Sequence, residues 1–269
     1  AYISDITTVE TRTVGLSKIG AANSLGTIIG PAIGGMLAVI SLLAPLYFAA
    51  AMTFVSLLLV GWLLPESPVS LNANAQISRA KLSYTDKRYR QYLLIATMMF
   101  IGFSVVQQTI GFYFQDALKL SSQEAAKQVG FALMLSAVLA LVAQAVVVQR
   151  LAWPAWRLIL VGLTALAVGT LLLAIGGHAV LLFAGVGCCG FGVGLCHPGC
   201  IGLASMSVGS HEQGSLAGLT SALPALGSIV GPLLGTGLYE LSPHWAYGGN
   251  LLLLIAVIVY AYRQSRRGV

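Results

Sequence analysis

A glycine–proline stretch occurs twice in this sequence and decides the fold class. Residues 25–35 read Leu-Gly-Thr-Ile-Ile-Gly-Pro-Ala-Ile-Gly-Gly, and residues 226–236 read Leu-Gly-Ser-Ile-Val-Gly-Pro-Leu-Leu-Gly-Thr. Four residues of the first stretch recur 201 positions later in the second: Gly26, Gly30, Pro31 and Gly34 match Gly227, Gly231, Pro232 and Gly235. Self-similarity at a fixed distance is typical of a chain built from repeated structural units.

The composition around these stretches excludes a soluble protein. Of the 269 residues, 57% are apolar and only 8% are charged, against roughly 25% charged residues in ordinary globular chains. Fourteen basic and eight acidic side chains cannot cover the surface of a water-soluble protein of this size. The same apolar content excludes a disordered chain. The composition therefore indicates an integral membrane protein.

Long blocks without Asp, Glu, Lys or Arg predict how many helices cross the membrane. They favour helices over barrel strands, in which polar and apolar residues would alternate. The blocks are residues 19–65, 91–115, 128–149, 158–211, 213–239 and 241–262. The first and the fourth are long enough for two helices each, with turns near Ala44-Pro45 and Gly176-Gly177. The sequence therefore predicts an all-α membrane protein with eight spanning helices.

The positions of the basic residues predict the orientation in the membrane. Twelve of the fourteen lie in alternate connections, which the positive-inside rule assigns to the cytoplasm. These are Arg12 and Lys18; Arg79, Lys81, Lys87, Arg88 and Arg90; Arg150 and Arg157; Arg263, Arg266 and Arg267. Both ends of the chain are therefore expected to be cytoplasmic. Because the basic residues are confined to these short loops, a nucleic-acid partner is not expected.

The repeat makes the first and seventh predicted spans equivalent, so the repeat unit is six helices. Six is an even number, and the two copies therefore have the same orientation, as in the parallel repeats of transporters. A complete pair needs twelve helices, so we expect four helices to precede this sequence; a true eight-helix protein is the alternative. Residues 1–64 are predicted to be the last part of an N-terminal bundle and residues 65–90 a cytoplasmic linker. Residues 91–269 are predicted to form a C-terminal bundle of six helices.

Several segments resemble the drug/proton antiporters of the major facilitator superfamily. The stretch from Gly26 to Gly35 is similar to the antiporter signature in the fifth helix of that family. Residues 1–12, 64–67 and 112–121 resemble its loop before helix five, the end of helix six and the end of helix seven. The resemblance implies a major facilitator-type helical bundle of which this sequence holds helices five to twelve. The sequence departs from the family's pattern in two places. Position 17 is Ser where the family often has Gly, and residues 149–157 are a poor copy of the family's cytoplasmic basic motif.

The glycines of the repeated stretch are candidates for close helix contact. They recur at every fourth position on one helix face and present no side chain, so another helix can approach closely. The proline removes a backbone hydrogen bond and favours a kink. With the resemblance, these features predict a moving seam between two bundles, and static packing is the alternative. The seam residues are Gly26, Gly30, Pro31, Gly34, Gly35, Gly227, Gly231, Pro232 and Gly235, with Gly130 and Ala137 as candidate contacts.

Polar residues inside spans are costly in lipid and are candidates for function. Asn23, Gln107, Gln108 and Tyr113 are expected to line a substrate cavity, with hydrogen bonding between helices as the alternative for the two glutamines. His197 is a possible proton site; its alternative is a neutral histidine bonded to a carbonyl that Pro198 frees. No Asp or Glu lies inside the eight predicted spans, so the coupling group is either His197 or an acid in preceding helices.

The remaining motifs exclude other classes of function. The cysteines 188, 189, 196 and 200 lie on one span and are expected to pack rather than to bind a metal. There is no nucleotide-binding loop, no pair of catalytic carboxylates and no nucleophile elbow, so neither an enzyme nor a cofactor is expected.

The predicted function is proton-coupled efflux of drug-like or small amphipathic molecules by alternating access in a bacterial cytoplasmic membrane. The expected partners are the small-molecule substrate, protons and the lipid bilayer, and the protein is expected to be monomeric. A sugar or amino-acid transporter of the same superfamily is the alternative. A membrane enzyme or a non-transporting partner protein is the alternative from another class.

Overall fold

The computed structural model describes residues 26, 30, 33, 34, 37, 40, 41, 43–63, 82–151, 153–209 and 212–266. Within these residues every regular element is helical. The helices are α1 (Ala44–Leu63), α2 (Arg90–Leu118), α3 (Ser122–Val142), α4 (Ala155–Ile175), α5 (Ala179–Met206), α6 (Gln213–Ser221), α7 (Leu223–Leu241) and α8 (Pro243–Ser265), and a π-helical segment, Ala143–Arg150, continues α3. The chain divides into two compact units, Ala1–Ser78 with α1, and Arg79–Val269 with α2 to α8.

Seven helices within the described residues are long and apolar enough to cross a membrane. They are α1, α2, α3 with its π-helical continuation, α4, α5, α6 together with α7, and α8. This confirms the prediction of an all-helical, multi-pass membrane fold. Of the first predicted span, residues 26, 30, 33, 34, 37 and 40 are helical, and the rest of that span lies outside the described residues. The eighth spanning helix therefore stays a prediction.

The turn between α4 and α5 confirms the break that the Gly176-Gly177 pair predicts. Gly176 has φ +60° and Gly177 has φ +83°, and both values lie in the region that only glycine adopts without strain. The Gly176 N–H donates to the Leu172 carbonyl at 3.1 Å and so closes the end of α4. The two glycines thus allow antiparallel helices to follow each other directly.

The centre of the second unit is a contact between the backbones of α4 and α5. A Cβ added to Gly192 would lie 2.5 Å from the Gly162 carbonyl oxygen, and one added to Gly162 would lie 2.6 Å from the Gly192 oxygen. On another face of α5, a Cβ on Gly190 would collide with Ser136 of α3. The glycine-rich sequence of α5 thus packs closely against two neighbours, as small residues in membrane helices allow.

The span from Gln213 to Leu241 is broken at Ala222, where the sequence suggested one continuous helix. Pro224 has no N–H and its ring disfavours helical geometry one turn before it. The Thr220 and Ser221 hydroxyls donate to the carbonyls of Ala217 and Gly218, at 3.1 and 2.8 Å. At the break, the Ala222 N–H donates to the Leu219 carbonyl at 3.3 Å, three residues before it, instead of continuing the four-residue pattern of the helix.

Candidate functional site

The second copy of the glycine stretch lies against α2 of its own unit. Gly227, Gly231 and Gly235 are buried on one face of α7. Added Cβ atoms would lie 2.7 Å from the Phe100 Cβ, 2.5 Å from the Ser104 Cβ and 3.3 Å from the Val105 Cα, respectively. This copy therefore makes a tight helix pair inside one unit, and whether the pair moves as a seam or packs statically stays a prediction. Pro232 lies on the same helix.

The first copy lies largely outside the described residues. Gly26, Gly30 and Gly34 are helical, and their spacing of four residues places them on one helix face. Within the described residues of the first unit, no heavy atom lies within 4 Å of a Cβ added to any of the three. Asn23, Pro31 and Gly35 lie outside the described residues. The seam between two bundles therefore stays a prediction for this copy.

Two neighbouring glutamines are exposed on α2 near its middle. Gln107 and Gln108 are exposed, whereas Val105, Val106 and Thr109 beside them are buried in the second unit. Counted along the helix, they lie about 5 Å from its midpoint. Among the described residues, neither amide has a hydrogen-bond partner. Since lipid offers amides no partner, these side chains indicate a polar surface at the depth of the membrane. Their contact with a substrate stays a prediction.

Tyr113 is buried within the second unit, and its place in a cavity wall stays a prediction. Its side chain is 5% exposed, its hydroxyl donates to the Leu173 carbonyl at 2.6 Å, and its ring packs on Tyr247 at 4.7 Å between centroids. The side chain thus ties α2 to the end of α4. The sequence shows that a tyrosine is present in the span, but the face it occupies depends on how α2 is rotated.

His197 lies on α5 beside Pro198, at the contact between three helices. Its ring meets the Phe100 ring of α2 edge-on, with 5.1 Å between centroids, and the Phe100 backbone faces Gly227 of α7. Among the described residues the imidazole has no hydrogen bond, so the alternative of a bond to a freed carbonyl is not observed there. A role in proton transfer stays a prediction.

Asn250 of α8 is a buried polar residue that the sequence reasoning missed. It is 4% exposed, and its Nδ2 donates to the Gly102 carbonyl at 2.9 Å and lies 3.5 Å from the Thr170 hydroxyl. Its Oδ1 is buried and has no hydrogen-bond partner within the described part of the chain. Asn250 therefore joins α2, α4 and α8. The signal was present, because an asparagine in the uncharged block 241–262 meets the same criterion as Gln107.

A cluster of charged side chains connects the segment before α2 to the segment before α6, outside the spanning helices. The Arg88 guanidinium donates two hydrogen bonds of 2.9 Å to the Glu212 carboxylate and three to the Asp86 carboxylate, the shortest of 2.8 Å. Arg88 lowers the pKa of Asp86 below its usual value, and Glu212 and then Asp86 raise the pKa of Arg88. Such paired bonds fix orientation as well as distance. They hold α6 against the start of α2.

Comparison with known proteins places this arrangement in a family. The family model described as Major Facilitator Superfamily matches residues 1–223 and 157–268. The chain is 30% identical to a class C tetracycline resistance protein of Escherichia coli, over 94% of this chain and 66% of that protein. It is 31% identical to the class H tetracycline resistance protein of Pasteurella multocida, over 96% and 65%. It is 27% identical to multidrug resistance protein 2 of Bacillus subtilis, over 92% and 63%. The chain thus spans just under two thirds of the length of these relatives.

Proposed function

The chain belongs to the Major Facilitator Superfamily, and we propose from this premise that it carries out secondary active export of drug-like or small amphipathic molecules. The names of its relatives, which denote tetracycline and multidrug resistance, support this substrate class. The observation that carries the proposal is the pair of exposed glutamines, Gln107 and Gln108, in the middle of α2. Amides without a hydrogen-bond partner are costly to expose to lipid at this depth, but they can line a water-filled path for a partly polar molecule.

The proposed mechanism is alternating access between two bundles. Residues 1–64 would belong to the first bundle, 65–90 would link the two, and 91–269 would form the second. The glycine face of the first copy, with Gly26, Gly30 and Gly34, would form the joint between them, because it presents no side chains to a partner. The second copy would keep α7 fixed on α2 while its bundle moves as a unit. Such rocking of rigid bundles about a central site is the general transporter mechanism.

Export is proposed to be driven by protons, with the protein acting as a monomer and not as an enzyme. His197 is the candidate proton carrier within the second unit, because a histidine changes charge near neutral pH. The alternative carrier is a carboxylate in helices outside this sequence. The basic helix ends, which include Arg88, Arg90 and Arg263, are proposed to face the cytoplasm of a bacterial cell.

Proton movement in reconstituted vesicles tests this function. Vesicles containing the protein are loaded with a pH-sensitive dye, a proton gradient is imposed, and a tetracycline, a cationic dye, a sugar or an amino acid is added. Proton movement upon addition of the tetracycline or the dye is expected. The Gln107→Leu/Gln108→Leu variant should lose most of it, whereas the control Gln115→Leu, two turns further along α2, should keep it. A response to the sugar or the amino acid alone would replace efflux by metabolite transport, and no response to any of the four would overturn the proposal.

A further inference from the structure

An apolar groove runs between α2 and α8 near the basic ends of both helices. Its volume is 270 Å³. The walls include Leu94, Ile95 and Met98 from α2 and Leu253, Ala256, Val257 and Tyr260 from α8. Apart from the Tyr260 hydroxyl, these side chains carry no hydrogen-bonding group. The groove therefore suits an apolar occupant.

The dimensions of the groove fit one extended hydrocarbon chain. From Leu253 to Tyr260 it follows α8 for seven residues, or about 10 Å, which is roughly a third of the hydrocarbon core of a bilayer. A helix, with a diameter of about 10–12 Å including side chains, could not enter a space of this volume. Leu94 and Ala256 are exposed at the rim, and Ile95 is fully buried at the base. The groove is thus open to the side, as a site for a lipid chain has to be.

Two arginines lie one helical turn beyond the groove. Arg90 precedes Leu94 by four residues on α2, and Arg263 follows Tyr260 by three residues on α8. These spacings place each arginine on the same helix face as the groove wall beside it. Both arginines are exposed, and within the described residues neither forms an ion pair. Two exposed positive charges therefore lie just beyond the end of the groove.

We propose that this groove binds one acyl chain of an anionic phospholipid, whose phosphate is held by Arg90 and Arg263. The apolar walls would bind the acyl chain in the membrane core, and the two arginines would bind the headgroup of the same lipid at the membrane surface. Arg90 begins α2, where the positive end of the helix dipole favours a phosphate, whereas α8 ends beside it with the negative end of its dipole, so the attraction rests on the two arginines. Basic sites between membrane helices on one side of the bilayer are suited to anionic headgroups. The site would hold α2 and α8 together and is separate from the proposed substrate path at Gln107.

Native mass spectrometry of the purified protein tests this proposal. The protein in detergent is mixed with equal amounts of phosphatidylglycerol and phosphatidylcholine that carry the same acyl chains, and the bound lipid is identified by mass. Two arginines near the surface predict about 30-fold more bound phosphatidylglycerol. Arg90→Gln/Arg263→Gln is expected to bring the ratio close to one. The control Arg266→Gln should leave it unchanged, because Arg266 lies over the Tyr262 ring instead.

The second arm of the experiment fills the groove. Ala256→Trp should displace the chain and reduce the bound phosphatidylglycerol at least fivefold, whereas the control Ile255→Trp, exposed on the same helix outside the groove, should bind as the unmodified protein does. Leu94→Trp fills the groove from the other wall and replaces Ala256→Trp if that variant does not fold. Equal binding by the groove-filling variant and the control would overturn the proposal. So would an unchanged lipid ratio in the double arginine variant.

Discussion

Replacing Gly231 with alanine is expected to destabilise the second unit, although alanine favours helices more than glycine. The added Cβ would lie 2.5 Å from the Ser104 Cβ and 3.1 Å from the Ile101 carbonyl oxygen. Carbon atoms in contact are about 3.5–4.0 Å apart, so α7 would have to move away from α2 by roughly 1 Å. Overpacking of this kind costs about 1–3 kcal/mol, and the higher helix propensity of alanine offsets up to about 1 kcal/mol of it. With the full offset the net loss is expected to be up to about 2 kcal/mol, and the difference from a glycine-to-alanine change that meets no neighbour to be about 1–3 kcal/mol.

Gly237→Ala is the matched control for this prediction, because it makes the same chemical change on the same helix. A Cβ at Gly237 would have no described atom within 4 Å, so this variant should be as stable as the original protein or slightly more stable. Stability is measured by denaturant titration in detergent, followed by circular dichroism. Adding Ser104→Gly to Gly231→Ala should restore part of the loss, because it removes the closest atoms. Equal stability of Gly231→Ala and Gly237→Ala would refute the assigned contact between α7 and α2.

Three further predictions concern polar groups in the second unit. Asn250→Leu removes the hydrogen bond to the Gly102 carbonyl and should lower the free energy of unfolding by about 1 kcal/mol, measured by the same titration. Tyr113→Phe should cost a similar amount through the lost hydrogen bond to α4 and leave proton-coupled transport intact; a loss of transport at unchanged stability would instead support a place for Tyr113 in the cavity wall. Arg88 lowers the pKa of Asp86 in the folded state. The ion pair therefore stabilises the fold fully at a pH above the pKa of Asp86 in the unfolded chain, and this stabilisation is lost as the pH falls through the lowered, folded-state pKa. Thermal melts should show a melting temperature that falls between pH 7 and pH 3, and this fall should be smaller in Arg88→Gln. An equal fall in the unmodified protein and in Arg88→Gln would contradict the prediction.

The sequence was sufficient for the helical type of the fold and for the seven spans within the described residues, because their determinants are local. Uncharged blocks long enough to span a bilayer identify each described span, and Gly176-Gly177 marks a turn that only glycine makes easily. The break at Ala222 was missed, although Pro224 beside it is a local signal. The uncharged block 213–239 has the length of a single span, and it was therefore interpreted as one continuous helix despite the proline.

The candidate site was harder to predict because it depends on how each helix is rotated and which neighbour it meets. Gln107, Gln108 and Tyr113 lie within two turns of α2, yet the structure exposes the first two and buries the third. The partner of Gly231 on α2 is more than 100 residues away in the sequence, and no pattern within either helix specifies the pairing. The ion pair of Arg88 with Glu212 likewise joins two loops whose separate sequences only show that they are charged.

The central claim is that Gln107 and Gln108 face water rather than lipid at mid-membrane depth, and thiol labelling tests it most directly. Gln107→Cys and Gln108→Cys are treated in intact membranes with a water-soluble maleimide, which reacts with a thiol only where water can ionise it. The native protein gives the baseline for its own four cysteines, and Leu252→Cys is the control, since Leu252 is 70% exposed on the apolar surface of α8. We predict rapid labelling of at least one of the two cysteines and slower labelling after substrate is added. Labelling of both at the slow rate of Leu252→Cys would contradict the account.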